Sequence, residues 1–362
     1  MQQNSCTSVH LAALADDFFR CNTLLGIRDL VAFAGVSVKL PRFSGRLHHR
    51  DRLVLAWSDG VLAYVEARHE EADTYRVRRF GVLRRGDNPD QFAGQLAALG
   101  WRGRPAQAML RPAQYQILQI DAPAVAPEEL RTAARWQIRD LVSQHVDDLT
   151  LDVLKVGDDE VRTTGSLFVV AAPNAEIRAV MQTALSLRCD VKVIDIHDLA
   201  QRNLQSALMR RQGDPERAHA AIVMTDDSRA LLTICANDEL FYTRRIDLGA
   251  GFMQADWGQG AQPQELSLAG ESDRAQRLVV EVQRSLDLWD RTWPMLVLDR
   301  IYVQAADRTA ELAGWLGREL GHAVQPLDVS ALFPGFEGGS EEDRQLCWPL
   351  LGVLLRSEDR KL

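Results

Sequence analysis

Lysine is nearly missing from this chain: only four of its 42 cationic side chains are lysines, Lys39, Lys155, Lys192 and Lys361. Arginine dominance of this kind follows from GC-rich codons as readily as from bidentate anion recognition, so it assigns no ligand. Cysteine is scarce as well. Cys6, Cys21, Cys189, Cys235 and Cys347 are odd in number, far apart and never in a C-x-x-C pair, which argues against a disulfide framework and a zinc site and points to a reducing compartment. No apolar run approaches the roughly 18 residues of a membrane span, and Trp348 to Leu355, the longest near a terminus, is far too short. Asp16, Asp17 and Arg20 interrupt any hydrophobic stretch that could serve as a signal peptide. A cytoplasmic protein is expected, held at a membrane only through partners and with no direct insertion. Cations are outnumbered by 50 carboxylates, giving a net charge of −8, so no general pull toward nucleic acid exists.

What is present is ordinary globular composition, 46% hydrophobic and 25% charged, with a length of 362 residues that implies two or three folded units. Residues 1–50 show apolar clusters without a sustained period and end in a basic stretch containing His48 and His49. They are expected to be a poorly ordered extension, dispensable for folding to about residue 45. The two histidines are adjacent, so their side chains point apart and make a poor metal pair.

From Arg52 the pattern becomes strand, tight turn, strand: Leu53 to Trp57, Ser58-Asp59-Gly60, then Val61 to Ala67. A third strand over Tyr75 to Val82, a helix over Asp90 to Leu99 and a strand over Ala106 to Leu110 complete a β-β-β-α-β unit. The same opening recurs at Ala221 to Thr225, Ala230 to Ala236 and Leu240 to Ile246. A long amphipathic helix from Ser272 to about Trp293, a strand at Arg300 to Gln304, a helix over Asp307 to Leu320, a strand at Ala323 to Leu327 and a closing helix over Asp343 to Arg356 follow. Between the two units, Tyr115 to Ile120 and Thr150 to Val156 read as strands flanking a helix entered at Pro127. In that helix Leu130, Ala134, Ile138 and Leu141 share one face. The run Leu167 to Ala172, a helix capped by Asn174 and the strand Val191 to Ile196 read as a β-α-β unit with a parallel sheet.

These patterns predict an α/β protein with a two-lobed, actin-like (duplicated ribonuclease H-like) fold and a small inserted α+β subdomain. The expected boundaries are 51–112 and 166–212 for the first lobe, 113–165 for the insertion and 213–362 for the second lobe.

The runs ILQIDAPAVAPEELRTAARWQIRDLVSQHVDDLTLDV (Ile117 to Val153), SLFVVAAPNAEIRAVMQTALSLRCDVKVIDIHDLAQRNL (Ser166 to Leu204), LTICANDELFYTRRIDLG (Leu232 to Gly249), EVQRSLDLWDR (Glu281 to Arg291) and PLLGVLLR (Pro349 to Arg356) resemble the MshI family. That family serves mannose-sensitive haemagglutinin (MSHA) pilus biogenesis. It is related to the type IV pilus protein PilM and to the cytoplasmic domain of the type II secretion protein GspL. The likeness begins near Arg52.

The resemblance implies a scaffold that docks a bitopic inner-membrane partner, MshJ-like or PilN-like, through its short cytoplasmic N-terminal peptide, in a groove beside the insertion. It also implies a link to the assembly motor ATPase. An ATP-binding PilM-like assembly protein and a GspL-like secretion component are the alternatives. The last is weakened because such chains continue into a membrane span and this one ends at Leu362.

Where an actin-like ATPase carries Asp-x-Gly phosphate turns and a Gly-Gly beside the nucleotide, this chain has substitutions at each place. The first turn has Ala56 at the strand-end position, with Asp59 directly followed by Gly60 as hairpin residues. The second has Met224 and the turn Asp226-Asp227-Ser228, whose acidic side chains would repel phosphate. The third reads Ala305-Ala306. No bound nucleotide, no metal and no catalysis are therefore expected: a pseudo-ATPase, with ATP as cofactor only under the PilM-like alternative.

Gly249-Ala250-Gly251 reads as a turn, Asp195 to Asp198 as polar caps, and Glu281 with Arg284 as a solvated pair. For the insertion, Trp136 is expected to be half-buried against Thr150 to Val156. The alternative is an Arg135, Trp136 and Arg139 surface facing a partner peptide.

Overall fold

The computed structural model describes residues 50–157, 165–257 and 270–356. The expectation of a dispensable extension up to about residue 45, and the pair His48 and His49, lie outside the described residues.

The first lobe opens with β1 (Asp51–Ser58), β2 (Val61–Glu71) and β3 (Thr74–Arg84), then α1 (Pro89–Ala98) and β4 (Pro105–Leu110). Asn88 caps α1 by accepting from the Asp90 and Gln91 amides at 3.0 and 3.2 Å, with Pro89 at the first helical position. The insertion follows: β5 (Gln116–Asp121), α2 (Leu130–Gln137), β6 (Leu149–Lys155) and β7 (Ser166–Pro173). The chain returns through α3 (Asn174–Leu187), β8 (Asp190–Ile196) and α4 (His197–Gln212). The second lobe contains β9 (Ala218–Met224), β10 (Arg229–Ala236), β11 (Glu239–Asp247), α5 (Gly270–Thr292), β12 (Leu298–Gln304), α6 (Thr309–Leu320), β13 (Val324–Pro326) and α7 (Glu341–Leu354).

Each lobe is built on one five-stranded sheet, β3-β2-β1-β4-β8 and β11-β10-β9-β12-β13. In each, three antiparallel strands are continued by two parallel ones. The repeated order, with helices on the sheet faces, is the duplicated two-lobed architecture of the actin-like fold. The central strands of the second sheet, β9 and β10, are buried almost end to end, as strands covered on both faces must be.

One strand departs from the sequence-based assignment. The apolar run read as part of the first lobe is β7, and it lies in the middle of a separate three-stranded sheet, β5-β7-β6. A continuous apolar run satisfies any position flanked on both sides, so its composition could not choose between sheets. β7 and β8 therefore do not form a parallel pair, and the parallel neighbour of β8 is β4. Asn174 is the first residue of α3 rather than its cap; its side chain accepts from Thr150 Oγ1 at 2.8 Å and donates to the Asp147 carbonyl at 3.1 Å.

Helices α4 and α7 hold the lobes together. The largest core cluster contains Val54, Ala63 and Val65 from the first sheet and Ala221, Val223 and Tyr302 from the second, with Ala200, Leu204, Leu351 and Leu354 between them. In α7 the whole stretch Cys347 to Leu354 is buried, apolar around its circumference as an interior helix must be. α4 instead turns polar groups toward the second sheet. Gln201 Nε2 donates to the carbonyls of Ala221 and Leu231, both at 3.1 Å, and to Thr233 Oγ1 at 2.9 Å. The Gln201 N–H donors are thus satisfied by groups of the second lobe, which fixes where α4 sits.

Candidate functional site

Three tight segments from the two lobes converge on a cleft of about 570 Å³. The first is the β1–β2 turn. Ser58 pairs with Val61 across the two-residue loop Asp59-Gly60, and both loop residues have positive φ, 52° and 74°, the geometry of a type I′ hairpin. Asp59 lines the cleft. Ala56 does not: it is buried in the core, two residues behind the turn.

The second segment is the β9–β10 turn. Thr225 donates its amide to the Arg229 carbonyl at 2.9 Å to close it. Asp226 Oδ1 accepts from the Ser228 amide and hydroxyl at 2.9 and 2.8 Å, and Oδ2 accepts from Arg229 Nε at 2.8 Å. The expectation of two repelling carboxylates is thus corrected by half. Asp226 folds back on its own turn and is neutralised by Arg229, an Asx turn that the order Asp-Asp-Ser already permits, and only Asp227 stands exposed. Met224 is buried in the second-lobe core and does not reach the cleft.

The third segment is Ala305-Ala306. Ala305 is fully buried, while Ala306 lines the cleft with φ of 50°, a conformation in which a Cβ is disfavoured by roughly 1–2 kcal/mol. Thr309 holds it there: Oγ1 receives the Ala305 amide at 2.9 Å and donates to the Ala306 carbonyl at 2.7 Å. Of the eight degenerate positions, the tertiary structure brings Asp59, Asp226, Asp227 and Ala306 together around one space and places Gly60 in the turn beside it. Ala56, Met224 and Ala305 sit in the cores behind it.

A magnesium nucleotide does not fit this set. Asp226 has no free oxygen to offer, Ala306 puts a methyl where close backbone approach is needed, and among the described residues no three His, Cys, Asp or Glu side chains come close enough to hold a metal ion. The positive groups are already engaged. Arg308 stacks 3.8 Å from the Trp257 ring and donates to Glu311 at 2.8 Å, and Arg84 pairs with Glu342. Arg111 donates to the Leu346 carbonyl at 3.1 Å, and burial lowers its pKa.

Behind the cleft lies a polar lock that sequence reasoning missed. Asp198, fully buried, accepts from Tyr115 Oη and from Thr243 Oγ1, the latter at 2.5 Å. Arg245 donates to the Tyr115 carbonyl at 2.9 Å and lies 4.5 Å from its ring. Burial, then the negative charge of Asp198, holds the Tyr115 hydroxyl well above its ordinary range, so it stays a donor. Asp195 is buried and faces Arg356 at 3.0 Å, and His197 is buried with neither ring nitrogen hydrogen-bonded. These side chains are therefore packed at the lobe junction rather than serving as helix caps. All four partners, Tyr115, Thr243, Arg245 and Arg356, are distant in sequence from the residues they pair with, and no local spacing could have paired them.

In the insertion, Ala134 and Ile138 are fully buried against the three-stranded sheet. α2 stops at Gln137, so Leu141 falls outside it and is 59% exposed, correcting the four-residue stripe. Trp136 is 68% exposed, which overturns the expectation that it packs on β6. Arg139, three residues on, is also exposed, whereas Arg135 turns inward to the carbonyls of Val146 and Leu149 at 2.7 and 3.4 Å. Arg135 is thus removed from the surface and braces the loop before β6.

No family model and no curated protein matches the chain. Solved structures do. The PilM-PilN type IV pilus biogenesis complex superposes with a TM-score of 0.59 at 17% identity, covering 84% of this chain and 99% of that one. The cytoplasmic domain of EpsL, an inner membrane component of the type II secretion system of Vibrio cholerae, gives 0.42 at 12% identity, covering 86% and 100%. A Bacteroides thetaiotaomicron protein with an actin-like ATPase fold gives 0.42 at 7%, covering 82% and 95%. At such identities the likeness concerns the fold.

Proposed function

We propose that this chain is a cytoplasmic, non-catalytic scaffold of an MSHA-type or other type IV pilus assembly machine. In this reading it docks the cytoplasmic N-terminal peptide of a bitopic, MshJ-like or PilN-like inner-membrane protein and works without nucleotide. The observation that carries the reading is the cleft itself: the three segments that would cradle a nucleotide meet there, but with Asp226 neutralised by its own turn, Asp227 exposed and Ala306 in place of glycine. A fold retained without its phosphate cradle has been kept for its surfaces. The MshI resemblance supplies the pilus context and the type of partner, and the PilM-PilN complex is a protein pair in which this fold takes part.

The docking surface is proposed at Trp136 and Arg139. An exposed tryptophan with an exposed arginine three residues on is the composition of an interface anchor, whose truncation typically costs more than about 2 kcal/mol. The test is co-purification from native inner membranes with the tagged full-length chain. A bitopic assembly protein should be recovered with the wild type and reduced at least roughly tenfold with Trp136→Ala/Arg139→Ala, while the circular dichroism of the variant is unchanged. Recovery of the same partner in equal yield removes this surface from the mechanism, and recovery of no membrane partner removes the scaffold reading.

A further inference from the structure

The cleft described above does not end at the three turns. A second compartment of about 530 Å³ adjoins it at the C-terminal ends of β12 and β13, and the two share Ala306, Asp307, Glu341 and Gln345, so they form one continuous groove. Its two parts differ in chemistry. The second compartment has an apolar floor made by Leu327, Val329, Phe333 and Trp348, all side chains anchored in the main core and therefore rigid. Around it and along the first compartment runs a rim of carboxylates.

The balance of charge is one-sided. Among the described residues Asp59, Asp227, Asp307, Asp328 and Glu337 line the groove, are exposed, and stand in no ion pair. Three of the four lining guanidinium groups are held by carboxylates, Arg84 by Glu342, Arg344 by Glu341 and Arg308 by Glu311. The fourth, Arg111, is turned to a backbone carbonyl. A groove with apolar walls and one sign of unpaired charge focuses that potential inward. It repels polyphosphates and acidic segments, and a neutral apolar ligand would leave the carboxylates without a counter-charge.

We infer that the interlobe groove is a docking site for a basic peptide segment of a protein partner, one in which Lys or Arg alternates with a large apolar residue. The apolar side chain seats on Leu327, Phe333 and Trp348, and the cations reach Asp307 and Asp328 on the rim and Asp59 and Asp227 at the turns. The occupant is a peptide rather than a lone cation because no three ligating side chains converge among the described residues and because the groove runs on from an apolar to a charged compartment. The sign of the charge excludes nucleic acid. This site is separate from the Trp136 surface, and either can fail without the other.

The experiment is a selection of random ten-residue peptides displayed on phage against the full-length chain, followed by fluorescence anisotropy of the enriched peptides after synthesis. Enriched sequences should carry Lys or Arg next to Leu, Phe or Trp. Their affinity should fall at least roughly tenfold in Asp227→Lys/Asp307→Lys, whose two side chains are exposed and so leave the fold intact. The milder Asp227→Asn/Asp307→Asn should lose part of that affinity, and peptides with Glu in place of the basic residues should bind the Lys variant better than the wild type. Trp136→Ala should leave binding unchanged. The inference is overturned if no sequence is enriched, if acidic sequences win, or if basic peptides bind the charge-reversed variant as well as the wild type. It is also overturned, in favour of an internal occupant, if the synthetic peptide of residues 39–50 outcompetes every selected sequence.

Discussion

A single methyl group at Gly352 tests how the two lobes are joined. Gly352 lies on α7 where that helix crosses α4, and a Cβ built there would stand 2.0 Å from the Ala200 carbonyl oxygen, 2.5 Å from its carbon and 2.9 Å from its Cα. Backbone on both sides cannot rotate away as a side chain can, so the helices must separate by more than about 1 Å. Overpacking a closed core costs about 1–3 kcal/mol. Separation also breaks the bond from Asn203 Nδ2 to the Gly352 carbonyl, 2.9 Å long and buried, worth about 1 kcal/mol net and more if the amide is left without a partner. Against this, replacing glycine by alanine in a helix gains up to about 1 kcal/mol. The net expectation for Gly352→Ala is a loss of about 2–3 kcal/mol. With an unfolding entropy of about 2.1 cal/mol/K per residue, a chain of 362 residues shifts by only about 1.3 °C per kcal/mol, so Tm falls by roughly 3–4 °C. Gly94→Ala in α1 is the control, because nothing lies within 4 Å of its Cβ position, and it should be neutral or slightly stabilising. Urea denaturation followed by tryptophan fluorescence, alongside a thermal melt, reads both. Equal stability of Gly352→Ala and the control would refute the account of α4 and α7 as a close-packed clamp.

Isothermal calorimetry with Mg-ATP should give no binding at micromolar concentrations; a magnesium-dependent Kd below about 10 μM, or some −7 kcal/mol, would overturn the pseudo-ATPase reading. Glu66 lies in the first sheet with Arg79 and Arg104, and Trp101 Nε1 donates to it at 2.9 Å. Burial would push its carboxyl up, but the hydrogen bonds from Trp101, Arg104 and Arg79 outweigh burial and lower its pKa. Glu66→Ala, which leaves two guanidinium groups facing a vacated site, should lower the unfolding free energy by about 3 kcal/mol, read from the urea midpoint and slope. Glu66 stabilises the fold above the ordinary carboxylate pKa, and that contribution is lost as the pH falls through the lowered value. His197 acts in a higher window: burial first, then Arg111 and Arg245, lowers its pKa to about 3, and burial lowers that of His219 to about 4. Unfolded chains take up these protons near pH 6.5, so stability should fall as pH drops below that value, by up to about 1.4 kcal/mol per pH unit for each histidine. His197→Gln should reduce that slope between pH 6.5 and 4.5, and an unchanged slope would show that the ring is accessible to protons in the folded chain.

Much of the architecture was legible in the order of residues alone because it depends on neighbours. A Ser58-Asp59-Gly60 turn between apolar runs makes a hairpin wherever it occurs, since only the turn's positive φ values and the alternation of side chains are needed. The recurrence of that pattern at Ala221 pointed to the duplication, and the departures from Asp-x-Gly spacing at Asp59-Gly60 and Asp226-Asp227-Ser228 could be read position by position. Elements that depend on what packs against them were not legible. The run Ser166–Pro173 is buried on both faces in either sheet, and only the pairing with β5 and β6 decides its place. Trp136 and Arg135 are adjacent in sequence, and α2 ends one residue after Trp136, which leaves the tryptophan in solvent while Arg135 reaches the carbonyls of the loop before β6. Asp198 acquires its role from Tyr115 and Thr243, partners 83 and 45 positions away. Local composition determined most of the strands and the turns of this protein, because those follow from backbone preference and hydrophobic period. Which residues share a cleft, which carboxylates remain unpaired and where α4 and α7 meet at Gly352 were decided by the tertiary structure, because they are distances between segments that no period in the sequence encodes.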